Sequence, residues 1–244
     1  MDTQPTMLDF NPAGGGHQHA ALRYTGEDVF AVSSADPERL ASPSNPYLVS
    51  RSKRALDVLG ASGILLAIFP MLLAVAILIA LTSPGPVLFR QTRCGLRGRP
   101  FTIFKFRSMY VARGDEVGIA QATRSDPRVT SIGRFMRRAS VDELPQLFNV
   151  LRGDMSLIGP RPHAIEHDRK YGGQISFYAK RFVAKPGVSG LAQAAGARGE
   201  TPHLTDMQRR VRLDLVYIRT ASVATDLRLM VATVREMFFS STAF

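Results

Sequence analysis

Tryptophan is absent from this chain of 244 residues, and cysteine occurs once, as Cys94. A lone cysteine excludes an intramolecular disulfide and fits a reducing compartment. The missing tryptophan excludes nothing by itself. Acidic residues are scarce, with 20 Asp and Glu against 31 Lys and Arg and a formal charge of +11. That balance favours an anionic partner, for which nucleic acid, an anionic membrane surface and a phosphorylated substrate all qualify. Internal repeats are missing, which excludes a solenoid. No early apolar run precedes a small-residue cleavage pattern, so no signal peptide is expected.

Residues 1–50 lack any sustained apolar period. They carry Gly14-Gly15-Gly16 and Ser42-Pro43-Ser44-Asn45-Pro46, and they read as a disordered tail. His17 and His19 within it read as solvated side chains rather than a metal site. The remaining length is enough to bury a real core.

One long apolar run is present. From Gly63 to Leu81 every residue is apolar, Gly or Pro, a length within the range of a spanning helix. Two features oppose a simple span. Pro70 sits in the middle, where it removes a helical hydrogen bond and favours a kink. Basic residues crowd both ends, Arg51, Lys53 and Arg54 before it and Arg90, Arg93, Arg97 and Arg99 after it. A spanning helix carries that excess on one side only. Residues 51–84 are therefore expected to form a re-entrant helix-break-helix with both ends on the cytoplasmic face. Lys53 and Asp57, spaced i,i+4, can pair on one helix face, and the basic residues can meet anionic headgroups.

The rest, residues 85–244, reads as a small α+β cytoplasmic domain. Ser83-Pro84-Gly85-Pro86 breaks the helix, Val87–Gln91 and Phe101–Phe106 alternate as short strands, and Cys94–Pro100 is the turn between them. Gly114–Arg128 is polar and reads as a loop, and Ile132–Arg138 as a basic amphipathic turn or two. A helix is predicted from about Asp142 to Arg152, with Ser140 and Glu143 as a capping box and Pro145 in its first turn. Residues 206–219 and 223–239 have helical periodicity. Val211, Leu215 and Ile218, then Leu227, Met230, Val231, Val234 and Phe238, read as core stripes on basic amphipathic helices.

The chemistry concentrates in Arg137-Arg138-Ala139-Ser140-Val141-Asp142-Glu143, followed by Gly159-Pro160-Arg161-Pro162. Adjacent carboxylates at a helix start can hold Mg²⁺ and supply an oxygen nucleophile. Arg137, Arg138 and Arg161 can clamp phosphate oxygens, with Arg161 held on a stiff segment by its flanking prolines. Taken singly, an Asp-Glu pair is usually a cap and surface arginines are usually solvated. Together, beside a membrane insertion, they suit phosphoryl transfer.

These residues resemble a known family. Lys53-Arg54-Ala55-Leu56-Asp57, the proline-interrupted insertion, Phe104 through Met109 (FKFRSM), Ser140 through Leu147 (SVDELPQL), Gly159 through Pro162 and Lys185-Pro186-Gly187 are similar to the bacterial sugar transferases, the monotopic phosphoglycosyl transferases. The resemblance runs from about Arg51 to the C-terminus. It implies transfer of a sugar 1-phosphate from a UDP-sugar to undecaprenyl phosphate, releasing UMP, at the cytoplasmic face of the bacterial inner membrane. It also implies Mg²⁺ and a covalent phosphosugar intermediate. By position, Asp142 would be the nucleophile with Glu143 beside it at the metal. Arg137 and Arg161 would contact phosphate, and Lys105 and Arg107 would line the site. Pro162-His163-Ala164, His167, Ala192-Gln193 and Arg198 through Thr201 are similar to the glucose-1-phosphate transferases that initiate exopolysaccharides. Leu191, Ala195 and Phe69 depart from that group's pattern, so galactose and N-acetylhexosamine stay open as the sugar.

A different class is a membrane-tethered basic adaptor for nucleic acid or acidic protein. It accounts for the charge and the apolar run but not for the Asp-Glu pair, and no nucleic-acid-binding motif is present. The lipid bilayer is an expected partner, nucleic acid is not, and a homo-oligomer is compatible.

Overall fold

The computed structural model describes residues 45–110, 126–197, 199 and 201–239. Residues 1–44 of the expected tail, with His17 and His19, and most of the Gly114–Arg128 loop lie outside the described residues, as do Arg198 and Glu200. The expected tail ends earlier than position 50. Pro46–Val49 forms a 3₁₀ turn capped by Asn45, whose side-chain amide also donates to the carbonyls of Arg219 and Ala221.

Helix α1, Arg51–Thr82, starts on a Ser50 cap and runs through Pro70 as one continuous helix of 32 residues. The break expected at Pro70 does not interrupt it. Lys53, Asp57, Ala61, Leu65, Leu72 and Ile79 form its buried stripe, at spacings that keep them on one helix face. The other faces leave Leu66, Phe69, Leu73, Ile77, Leu78 and Leu81 exposed. An apolar surface of that extent needs an apolar solvent.

Both ends of α1 are held by the same body. At the first, Lys53 pairs with Asp57 (3.2 Å), as the spacing predicts, and also with the buried Asp226 (2.6 Å) and the Ile158 carbonyl (3.2 Å). Asp57 accepts from the Ser156 hydroxyl and the Leu157 amide. Arg54 donates to the Val150 and Leu151 carbonyls near the end of the next-but-one helix. Lys53 and Arg54 thus serve the protein interior rather than headgroups. At the far end, Arg107 donates to the carbonyls of Ile79, Ser83 and Pro84 and to the Ser83 hydroxyl.

Strands β1, Leu88–Cys94, and β2, Pro100–Phe106, form an antiparallel hairpin in register Leu88↔Phe106 through Cys94↔Pro100. Both are longer than the alternation alone predicts. The turn is tightened by left-handed Arg97 and Gly98. Helix α2, Ser131–Arg138, is capped by the Thr130 side chain on the Gly133 amide. The predicted helix from Asp142 is shorter and split: Val141–Glu143 is a 3₁₀ turn, and α3 spans Gln146–Arg152 with Gly153 in the left-handed conformation closing it.

Strand β3, Ser156–Ile158, lies parallel to β4, Gly187–Ser189. Gly159 and Gly187 allow this contact, because a Cβ on Gly187 would stand 2.1 Å from the Gly159 nitrogen. Between them come α4, Ile165–Gly172, and a 3₁₀ segment, Tyr178–Val183. After β4 follow α5, Leu191–Ala194; α6, Leu204–Thr220, opened by a His203–Asp206 capping box; and α7, Val223–Phe239.

The core gathers Ile103, Met136, Leu147, Val150, Met155, Ile158, Met207, Val211, Leu215, Ile218 and Leu229. Val211, Leu215 and Ile218 are buried as their periodicity predicts. On α7 the expected stripe is corrected: Leu227, Val231 and Val234 are exposed, and Asp226 and Leu229 face inward. The salt-bridged carboxylate decides the orientation, since Asp226 meets Lys53, Tyr47 and Tyr217.

Candidate active site

The Val141–Glu143 turn is preceded by Ser140 in the left-handed region (φ 57°). This kink replaces the expected capping box. The Glu143 amide donates to the Ser140 carbonyl (3.2 Å), while the Glu143 side chain turns toward β2 and the Gly159–Pro162 segment. There Lys105 Nζ donates to Oε1 (2.8 Å), and Arg161 forks across the carboxylate, 2.6 Å to Oε1 and 3.0 Å to Oε2. Three segments distant in sequence thereby converge on one acid.

The two carboxylates have opposite electrostatics. Glu143 is held well below the usual carboxylate range by Arg161 and Lys105, which overcome its burial. Asp142 is pushed up, first by burial and then by the charge of Glu143, although Lys105, Arg137 and Arg161 pull the other way. No side chain among the described residues is hydrogen-bonded to Asp142. One acid is thus fixed and neutralised, and its neighbour is poorly solvated and uncommitted, an arrangement able to supply an oxygen nucleophile. Burial lowers Lys105 from the ordinary amine range, against the pull of Glu143.

Lys105 and Arg161 bond to Glu143, and Arg137 acts on Asp142 at longer range, so these three of the expected residues gather at the acidic pair. Arg138 is exposed on α2. Arg107 does not line the site. It is buried at the end of α1, because β2 ends at Phe106 and Arg107 lies just beyond it, where the carbonyls at the end of α1 attract its guanidinium.

The donor set was tested against Mg²⁺. Among the described residues no group of three or more His, Cys, Asp or Glu gathers for a metal. Yet Glu143 uses three of its roughly four lone-pair sites, leaving one on Oε2, and Asp142 is uncommitted. Mg²⁺ commonly takes only one or two carboxylates and completes its shell with substrate phosphates and water. The residues fit such an ion.

Periodicity gave no signal for the layer behind Arg161. Arg181, from the 3₁₀ segment, donates to the Arg161 carbonyl and pairs with Asp214 of α6 (2.7 Å). It holds the backbone from which Arg161 reaches Glu143. The only sequence hint is a charged residue, Asp214, inside the apolar stripe of α6.

The model of the family described as bacterial sugar transferase matches residues 48–240. A UDP-glucose:undecaprenyl-phosphate glucose-1-phosphate transferase of Escherichia coli is 50% identical over 192 residues, covering 79% of this chain and 41% of that protein. One of the same name from Caulobacter vibrioides is 50% identical over 207 residues, covering 84% of this chain and 77% of its own. A UDP-N-acetylgalactosamine-undecaprenyl-phosphate N-acetylgalactosaminephosphotransferase of Aeromonas hydrophila is 41% identical over 185 residues, covering 76% and 43%. This chain thus spans less than half the length of two of these three relatives. It belongs to the bacterial sugar transferase family.

Proposed function

We propose that this member of the family transfers a sugar 1-phosphate, glucose 1-phosphate in the first instance, from a UDP-sugar to undecaprenyl phosphate and releases UMP. The observation that carries this reading is the split pair: Glu143 locked by Lys105 and Arg161, Asp142 buried and uncommitted beside it. Three cations, Lys105, Arg137 and Arg161, around two carboxylates leave a positive site for a diphosphate. The names of the relatives from Escherichia coli and Caulobacter vibrioides support glucose, and that from Aeromonas hydrophila keeps N-acetylhexosamine as the alternative.

In the first half-reaction an Asp142 oxygen attacks the phosphorus that bears the sugar. The bond from that phosphorus to the bridging oxygen breaks, and UMP departs with the electron pair. In the second, an oxygen of undecaprenyl phosphate attacks the same phosphorus and restores the Asp142 carboxylate. Lys105 and Arg161, aimed by Glu143, face the phosphate oxygens and stabilise charge there without moving. Mg²⁺, bound by Asp142 and Glu143 with phosphate oxygens, would supply further charge neutralisation.

We further infer that α1 enters the membrane and returns to the cytoplasmic face. Its support is the double grip: Lys53 and Asp57 at one end and Ile79 and Ser83 at the other bond to one folded body, which can occupy only one side of a bilayer. The exposed apolar faces between them would lie in lipid. Single cysteines at Arg51 and Arg90 should both be shielded from an impermeant periplasmic reagent; labelling of only one makes α1 a span. The reaction is tested by UMP release from a panel of UDP-sugars by the detergent-held protein with undecaprenyl phosphate and Mg²⁺. No release from any of them would sink it.

A further inference from the structure

Behind Arg161 lies a buried polar cluster that the transfer steps above leave unused. Arg181 Nη1 meets His163 Nδ1 at 2.6 Å and the Tyr178 hydroxyl at 3.2 Å. The Tyr178 hydroxyl donates its proton to Asp168 Oδ1 at 2.7 Å and lies 2.7 Å from the same histidine nitrogen. These directions fix the tautomer. A guanidinium has only donors, so His163 Nδ1 accepts and the ring proton resides on Nε2. The ring is neutral, because burial and the field of Arg181, Arg210, Arg161 and Arg93 hold it well below the ordinary imidazole range.

Nε2–H is therefore a committed donor on a residue that is 6% exposed, and it has no partner among the described residues. A buried donor left unmet calls for an explanation, and an acceptor supplied by a ligand is one. His163 also lines a cavity whose walls include Cys94, Pro160, Arg161, Pro162 and Arg181. Its volume of about 10 Å³ admits one oxygen-sized group, neither a phosphate nor a sugar ring. Arg161 belongs both to this cavity and to the carboxylate pair. The terminal nitrogens of Arg161 are taken by Glu143 and those of Arg181 by Asp214 and His163, which leaves the imidazole Nε2–H and the Arg181 Nε–H as unpartnered donors on residues that line the cavity.

We propose that His163 is a specificity-determining residue whose Nε2–H takes one hydroxyl oxygen of the transferred sugar in the cavity beside Arg161. The assignment rests on the transfer reading above and deepens it. A site built to meet one hydroxyl discriminates against the sugar lacking it, because the buried donor is then left unpaired.

The test measures kcat/KM for UMP release from UDP-glucose and its 2-, 3-, 4- and 6-deoxy analogues, with wild type, His163→Asn and His163→Gln. The asparagine carbonyl can still accept from Arg181, but nothing replaces Nε2–H; the glutamine amide reaches closer to that place. For wild type, one deoxy analogue should fall roughly 10-fold below UDP-glucose. His163→Asn should lose a similar factor on UDP-glucose, lose nothing further on that analogue, and be partly rescued by His163→Gln. Equal losses by His163→Asn on all five substrates would overturn the proposal and leave the ring as packing around a water. Should that variant fail to fold, the wild-type series decides, and equal turnover of all four analogues overturns the proposal. Absence of UMP release by wild type from every UDP-sugar overturns the transfer reading itself, a result distinct from either.

Discussion

Glu143→Gln tests the division of labour between the two acids. Three charge-assisted hydrogen bonds end on the Glu143 carboxylate, two on Oε1 and one on Oε2. The amide keeps an acceptor at one position and turns an N–H toward Arg161 at the other. It also removes the charge that Lys105 and Arg161 share. Breaking a fully buried pair costs about 3–5 kcal/mol. Here Lys105 is 19% and Arg161 22% exposed, so water recovers part of that and about 2–4 kcal/mol is expected. For a chain of this size that corresponds to a fall in Tm of roughly 5–15 °C. The carboxylate is held below its usual range, so its stabilising effect is present above the unfolded-state value and fades as pH drops through the folded one. The Tm gap between wild type and variant should therefore be widest near neutral pH. Because the Glu143 charge helps push Asp142 up, the acid limb of any residual UMP release should move to lower pH. The assay is thermal melting and UMP release across pH in one detergent. An unchanged Tm, or an acid limb that moves upward, refutes the reasoning.

Asp142→Asn should abolish UMP release and still raise Tm near neutral pH. Asp142 is pushed up in the folded state, so its ionised form costs stability there, and the gap should narrow as pH falls through the raised value. Arg107→Met should lower stability by about 3 kcal/mol by stripping the carbonyls at the end of α1. KM for the UDP-sugar should stay within about twofold in the folded variant; a tenfold rise at unchanged Tm would return Arg107 to the site. Gly187→Ala places a Cβ 2.1 Å from the Gly159 nitrogen, so β3 and β4 must part. Circular dichroism melts should register a loss of about 3 kcal/mol or more, and a variant as stable as wild type would show that the strands can separate without cost.

Much of the site was legible because its chemistry is dense in sequence. Asp142, Glu143 and Arg161 lie within 20 positions, and the acidic pair gains meaning from standing between arginines and beside an apolar run. The hairpin and the two long C-terminal helices followed from alternation and periodicity. What escaped depends on partners remote in the chain. Arg107 read as a basic residue lining the site until the carbonyls of Ile79, Ser83 and Pro84 claimed it. The face of α7 was misread because periodicity scores a carboxylate as solvated, and only the approach of Lys53 makes Asp226 an interior residue. The capping box failed for a similar reason, since Lys105 and Arg161 outcompete a backbone amide for Glu143. Arg181 had no pattern to betray it, and Asp214 only its place inside the apolar stripe of α6.

The Lys53–Asp226 pair also sets an order of events in biosynthesis. The two residues stand 173 positions apart, and Asn45 reaches its carbonyl partners on Arg219 and Ala221 over a similar distance. At about 5–20 residues per second, a ribosome that has finished Lys53 needs roughly 9–35 s more to make Asp226. Throughout that interval the apolar helix exists without its polar anchor, and Lys53 has only Asp57, one turn away, to neutralise it. The i,i+4 pair therefore acts first as a chaperone for its own charge. It carries the lysine along the edge of the apolar segment until the last helix arrives to receive it.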